Sequence, residues 1–254
     1  MRFASLGSGS RGNATLLQSG DTILLIDCGF GLREATRRLA RLGLAPAELS
    51  AVLLSHEHGD HSGGCGPLLR RHRLCLHATG GTLRAAAGHI GELPDTCPIN
   101  PHRPFTIGGI EITPVTVPHD AREPCQFVFS DGRHRLGLLT DTGSLTAHIR
   151  DSFTGLDALL LEFNHDCGML RRGPYPASLK RRVGGPLGHL SNEQAGRLLR
   201  EIDTSRLRHL VALHLSETNN TPELAQHCAC EVIESHTRLT IATQEEGFGW
   251  IELD

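Results

Sequence analysis

The sequence predicts an α/β protein in which two sheets carry helices on their outer faces. Three observations point there. Short apolar runs recur in both halves of the chain, segments with a 3.6-residue apolar period fall between them, and Gly, Pro, Ser or Thr punctuates the junctions. "RFASL", "ATLLQ" and "TILLID" read as three strands separated by Gly-rich turns. Leu32, Ala35, Leu39 and Leu42 then share one helical face, with Gly43 as its C-terminal stop. "AVLLS" is a short buried strand, followed by a helix through "GPLLRRH", a strand "LCLHAT" and a helix "TLRAAAGHI". The second half offers strands at "IEITPVTV", "CQFVFS", "HRLGLLTD" and the wholly apolar "LDALLLEFN". Ser191 and Gln194 form a capping box that opens a helix through "EQAGRLLREI". "RHLVALHLS" is a strand, and Thr221-Pro222-Glu223 opens a helix through "LAQHCACEVIES". "RLTIAT" and "FGWIEL" are the last strands.

A chain of 254 residues fits one large α/β domain or two small ones, and can bury a sizeable core. Its net charge of −3 excludes a cationic molecule that binds nucleic acid through its whole surface, while leaving room for a local basic patch. Lys180 is the only lysine. No apolar run is long enough for a signal peptide or a membrane span, so a soluble cytoplasmic protein is expected. Eight scattered cysteines without a C-x-x-C pair read as mostly buried free thiols. Sixteen histidines are unusual, and their spacing decides what they do.

"SHEHGDH" is the informative stretch. It supplies His56, His58, Asp60 and His61 directly after an apolar strand. Residues two apart in an extended segment project to one side, so His56 and His58 can grip one ion while Asp60 and His61 face another. Imidazole and carboxylate donors without a thiolate suit a hydrolytic zinc or manganese centre better than a structural zinc. Further donors recur at strand ends: Asp27 after "TILLI", His119 after "TPVTVP", Asp141 after "LGLLT" and His214 in "VALHLS". Sites on sheets gather at such carboxyl ends.

With those residues in hand, the sequence resembles the metallo-β-lactamase superfamily, over nearly the whole chain and in the right order. The resemblance implies a single αββα four-layer sandwich over residues 1–254, with two mixed sheets, helices outside and a dinuclear site at one edge. It implies that His56, His58 and His119 hold one metal, that Asp60, His61 and His214 hold the other, and that Asp141 bridges them. Asp27 would orient the histidine loop without binding metal. "SLGSGSRGNATLL", "VPHDA", "LEFNHD", "GHLSNEQA" and "HLSETNNTPELA" are similar to the YycJ/WalJ group of this superfamily, related to ribonuclease Z. That group implies a metal-dependent nuclease of the 5′-to-3′ DNA exonuclease type, using a metal-bridging hydroxide. "GHLS" is similar to a ribonuclease Z segment whose histidine assists phosphodiester cleavage, which makes His189 a catalytic candidate beside Asp60, with Glu162 as its acidic partner. No β-CASP insertion is present, and Leu190 stands where ribonuclease Z has Ser. "NHD" leaves His165 as a rival to His214 for the last ligand position.

A polyanionic substrate needs positive charge near the site. Arg171, Arg172, Lys180, Arg181 and Arg182 fall between Glu162 and His189, and Asn164 and His165 are further substrate-binding candidates. The stretch "GSGSRG" at residues 7–12 is a literal G-x-G-x-x-G with Asp27 about twenty residues on, the pattern of a dinucleotide-binding turn. Such a turn must run from strand into helix, whereas this one runs into another strand, so no nucleotide cofactor is expected. A tight turn at the rim of the metal site is the better reading, with Arg11 as a candidate phosphate contact. The alternative function is a small-molecule hydrolase on the same fold, such as a cyclic phosphodiesterase, lactonase or thioesterase.

Overall fold

The computed structural model describes residues 1–254. In the first half the elements are β1 (Arg2–Gly7), β2 (Ala14–Ser19), β3 (Thr22–Ile26), α1 (Leu32–Arg41), β4 (Ala51–Leu53), α2 (Gly59–Ser62), α3 (Cys65–His72), β5 (Leu76–Thr79), α4 (Gly80–Ile90) and β6 (Thr96–Ile99). The second half holds β7 (Phe105–Ile107), β8 (Ile110–Thr116), β9 (Cys125–Ser130), β10 (Arg135–Leu139), α5 (Ala147–Ser152), β11 (Ala158–Glu162), α6 (Cys167–Arg172) and α7 (Ala177–Val183). It continues with α8 (Asn192–Glu201), β12 (His209–Leu213), α9 (Pro222–Cys230), β13 (Arg238–Ile241) and β14 (Phe248–Glu252). The strands form two seven-stranded sheets, in the orders β14-β1-β2-β3-β4-β5-β6 and β13-β12-β11-β10-β9-β8-β7. Both are mixed: β3 to β6 and β10 to β13 pair in parallel, and the remaining pairs are antiparallel.

Three apolar clusters show why the strands are apolar on both faces. Along β11, Ala158 and Leu160 enter the cluster between the sheets, while Leu159 and Leu161 enter a second one under Ile149, Ala195, Leu198 and Ala225 of the helices. In β3, Leu24 and Ile26 face the other sheet, and Ile23 and Leu25 pack with Ala35, Leu39, Leu68 and Ala86. Period-two alternation thus fills both faces of each sheet, giving helix, sheet, sheet and helix layers. The Ser191–Gln194 capping box forms, Thr221 caps α9, and Gly43 adopts a left-handed φ of 73° after α1.

Some expectations need correction. Strands β6 and β7 and helices α2, α5, α6 and α7 were not legible, because they are short and lie mostly at edges or on the surface. β6 contains Pro98, as an edge strand can, and α7 buries none of its residues. Helix α9 ends at Cys230, short of the run expected to continue through "EVIES". All eight cysteines are free, yet only Cys28, Cys65 and Cys125 are buried. Cys97, Cys167 and Cys230 lie on edge strand β6 and at the ends of α6 and α9, where the core does not reach. No helix is long and apolar enough to cross a membrane.

Candidate metal centre

Strands β3, β4, β10, β11 and β12 deliver their carboxyl ends to one edge of the sandwich. Asp27 follows β3, the histidine loop follows β4, Asp141 follows β10, Glu162 ends β11 and His214 follows β12. Three of these residues are bent sharply out of their strands. Asp27, Asp141 and His214 have φ of 61°, 52° and 56°, a left-handed conformation that costs a non-glycine residue about 1–3 kcal/mol. Glycine lets the loops close on one another: a Cβ on Gly29 would stand 1.9 Å from the Asp60 carbonyl oxygen.

The hydrogen bonds behind the histidines fix which nitrogen is bare. Asp27 accepts from the Ser55 amide (2.8 Å) and hydroxyl (2.8 Å) and from His61 Nδ1 (2.8 Å). Since the Ser55 hydroxyl donates to Asp27, its oxygen accepts from His56 Nδ1 at 2.9 Å. His119 Nδ1 donates to the Gly188 carbonyl (3.0 Å), and His214 Nδ1 to Glu162 Oε1 (3.0 Å). In each ring Nδ1 is the donor to the protein, so Nε2 is the nitrogen turned to the site and left for a metal once any proton there is displaced. His58 instead turns Nδ1 inward, 3.1 Å from His56 Nε2 and 3.2 Å from His119 Nε2.

These atoms fit divalent ions. His56, His58 and His119 form one group able to hold a metal, and Asp60, His61 and His214 form another. The nitrogen separations in the first group match the edge of a tetrahedron, roughly 3.3 Å for ligands at the usual zinc distance. Asp141 lies between the groups, with Oδ2 3.3 Å from His61 Nε2 and Oδ1 3.9 Å from His119 Nε2. Asp141 Oδ2 and His214 Nε2 are buried without any hydrogen-bond partner, an arrangement that is costly unless a cation completes it. Burial resists ionising Asp141, yet His214, His61, His56 and His119 carry it well below the carboxylate range. Burial likewise opposes charge on His61, but Asp141, Asp27 and Asp60 lift it well above the histidine range. His214 rises to about 10 on the same balance, burial being outweighed by Asp141, Asp60 and Glu162. His56 is held well below by burial and by neighbouring His61. Protons thus neutralise part of the carboxylate charge here, and metal binding must displace them.

A cavity of about 350 Å³ opens onto this cluster. Asp60, Asp141, His189 and His214 line it, and His189 Nδ1 donates to Glu162 Oε1 at 2.8 Å. Glu162 therefore holds His189 and His214 with one oxygen, while its other oxygen accepts from the Leu190 and Thr142 amides. Burial opposes protonation of His189, but Glu162 and Asp141 outweigh it and raise its pKa.

The other predicted residues are distributed unevenly. Arg182 is the one member of the basic run that lines the metal cavity, where it pairs with Asp120. Arg171, Lys180 and Arg181 line a neighbouring cavity with His165, and Arg172 lines neither; the basic residues are split between α6 and α7. His165 is absent from every group able to hold a metal, in contrast to His214. Asn164 lines the metal cavity, but its amide donates to the His214 carbonyl. Arg11 pairs with Glu217 and Glu245, so its guanidinium is already engaged away from the cavity lining. The turn that bears it joins β1 to β2, as expected, and contributes Asn13, whose Nδ2 stands 3.2 Å from His61 Nε2, and Ser8, which accepts from the His214 amide. Asn13, Ser55 and Asp120 were not singled out in the sequence. Only the position of Asn13 after the glycines and of Ser55 and Asp120 beside histidines could have marked them.

An αββα sandwich with paired His/Asp groups at the carboxyl ends of its strands defines a metallo-hydrolase fold, and residues 22–215 match the family described as Beta-lactamase superfamily domain. The chain belongs to this superfamily, in its metallo-β-lactamase form. Within it, the chain is 34% identical over 251 residues to exodeoxyribonuclease YycJ of Bacillus anthracis, covering 98% of this chain and 91% of that protein. It is also 34% identical over 236 residues to exodeoxyribonuclease WalJ of Streptococcus pneumoniae, covering 88% and 85%. Among solved structures, the metallo-β-lactamase fold protein YhfI from Bacillus subtilis superposes with a TM-score of 0.76 at 22% identity, over 99% of both chains. Zn(2+)-bound PqqB from Methylobacterium extorquens gives 0.74 at 19% identity, over 100% of both. These two likenesses speak for the fold alone.

Proposed function

We propose that this protein is a metal-dependent exodeoxyribonuclease that cleaves phosphodiester bonds at a dinuclear zinc or manganese centre. The observation that carries the reading is the three-histidine group and the Asp60–His61–His214 group on either side of Asp141, with His189, held by Glu162, on the wall of the same cavity. When bound, two divalent ions supply Lewis acidity at a phosphoryl oxygen and make water acidic enough to ionise near neutral pH. His56, His58 and His119 would hold one ion, Asp60, His61 and His214 the other, and Asp141 both. Asp27 and Ser55 keep His61 and His56 in the tautomer that ligation requires. His189, held by Glu162, donates a hydrogen bond or proton to the departing oxygen. Arg182 at the cavity and Arg171, Lys180 and Arg181 beside it contact phosphates, which makes binding sensitive to salt but indifferent to sequence. The names of the relatives favour DNA over RNA, and digestion from the 5′ end follows from the group resemblance. A DNA substrate fits the cytoplasmic setting expected from the sequence.

The test is a panel of end-labelled single- and double-stranded DNA and RNA given to metal-free protein resupplied with manganese or zinc. Nucleotide release from DNA is expected, lost by about a thousandfold or more in Asp60→Ala, since ligand removal abolishes the electrostatic stabilisation that dominates such reactions. Nucleolysis that persists in Asp60→Ala, or turnover confined to small esters and insensitive to salt, overturns the assignment.

A further inference from the structure

One face of the metal cavity has no part in the chemistry described so far. Of the side chains lining it, only Tyr175, Leu179 and Val183 are apolar; Leu179 and Val183 lie in α7 and Tyr175 two residues before it. Leu179 and Val183 are four residues apart and so share a helix face. Helix α7 buries none of its residues, so this face is turned toward the cavity without being covered by the core. The wall is also tied to the candidate proton donor: the Val183 carbonyl accepts from the His189 amide at 2.9 Å. A Cβ on Gly188 would meet the Arg182 and Val183 carbonyl oxygens at 2.2 Å, so the close approach depends on glycine.

We infer that Tyr175, Leu179 and Val183 form a subsite for a single nucleobase, that of the terminal nucleotide whose phosphodiester lies at the metal cluster. The inference rests on the nuclease reading above and extends it to recognition of the chain end. The occupant follows from what surrounds the wall. The His/Asp groups fix where the phosphate goes, and Arg182, paired with Asp120, stands at the rim beside it. An aromatic ring with two aliphatic side chains accepts the face of any base and offers nothing that reads its hydrogen-bonding edge. At about 350 Å³ the cavity stands near the small end of ligand sites, which run from roughly 300 to 1,000 Å³. That is room for one unstacked nucleotide, the unit that an exonuclease releases.

A cycle of two deletions tests this on the manganese-loaded full chain. Single-stranded oligodeoxynucleotides carrying a natural or an abasic terminal nucleotide are digested by wild type, Tyr175→Ala and Tyr175→Phe, with metal content and Tm measured for each. Tyr175→Ala should lower kcat/KM on the natural end by roughly 5- to 100-fold, the range for loss of one base stack. The abasic end should show a similar loss with wild type and no further loss with Tyr175→Ala. Tyr175→Phe, which keeps the ring, should recover the preference for a terminal base. Equal losses on both substrates, or an abasic end cut as fast as a natural one, overturn the subsite and leave the nuclease reading standing. If wild type cuts no oligonucleotide with any metal, the nuclease reading falls, and the subsite with it.

Discussion

Glu162 shows how one side chain can be shared between two tasks. Its Oε1 receives both His189 Nδ1 and His214 Nδ1, so it orients the candidate acid and a candidate ligand together. The two roles separate on mutation. His189→Ala should lower kcat by about 10²- to 10⁴-fold while metal content, read by elemental analysis, stays at the wild-type level. Glu162→Gln should lose rate and also weaken metal affinity by roughly 10- to 100-fold, because His214 loses its carboxylate acceptor. Equal metal loss in His189→Ala would move His189 into the ligand set. Asp141 and His214 combine left-handed backbone with orphaned buried atoms, so each carries a local penalty with no structural return. Penalties of that kind collect where function requires them.

At the level of elements, the strands are held by packing on two faces and the turns by short polar devices. The β9–β10 hairpin turns on Asp131, whose Oδ1 accepts from the Arg133 and His134 amides at 3.0 and 2.7 Å, while Ser19 donates to Oδ2 at 3.1 Å. Burial pushes this carboxyl up, but those hydrogen bonds prevail and bring it down to about 2. Because it titrates lower in the folded chain than in the unfolded one, it adds stability above a pH of about 4. That stability is lost as pH falls through about 2. Urea denaturation of Asp131→Asn should therefore show a deficit at pH 6 that narrows steadily at pH 3 and below. A deficit of constant size would mean that the charge contributes nothing. Helix α7 is the opposite kind of element, with no buried residue and only the single Leu179–Val183 pair at helical spacing to announce it. It was missed in the sequence for that reason, although its basic residues were noticed.

On the scale of the molecule, the centre draws on both sheets: Asp27 and the histidine loop come from the first, and His119, Asp141, Glu162 and His214 from the second. An ion held between them would tie the two halves together. Removing it with a chelator should lower Tm, and adding zinc or manganese should restore it by mass action, as differential scanning calorimetry would show. An unchanged Tm would mean that the groups hold no ion in the folded chain. By itself the sequence determined the alternating strands, the caps at Ser191 and Thr221 and the donor types, because propensity, period and ligand chemistry are local properties. The glycine motif illustrates the limit of that reading, since only its continuation into a strand distinguished it from a cofactor turn. Tertiary structure alone decided that His165 faces a different cavity from His214, that Arg11 is engaged by Glu217 and Glu245, and that Glu162 serves two histidines. Those outcomes depend on which strand ends meet across the sandwich, and contacts between residues so distant in the chain leave no periodic trace in it.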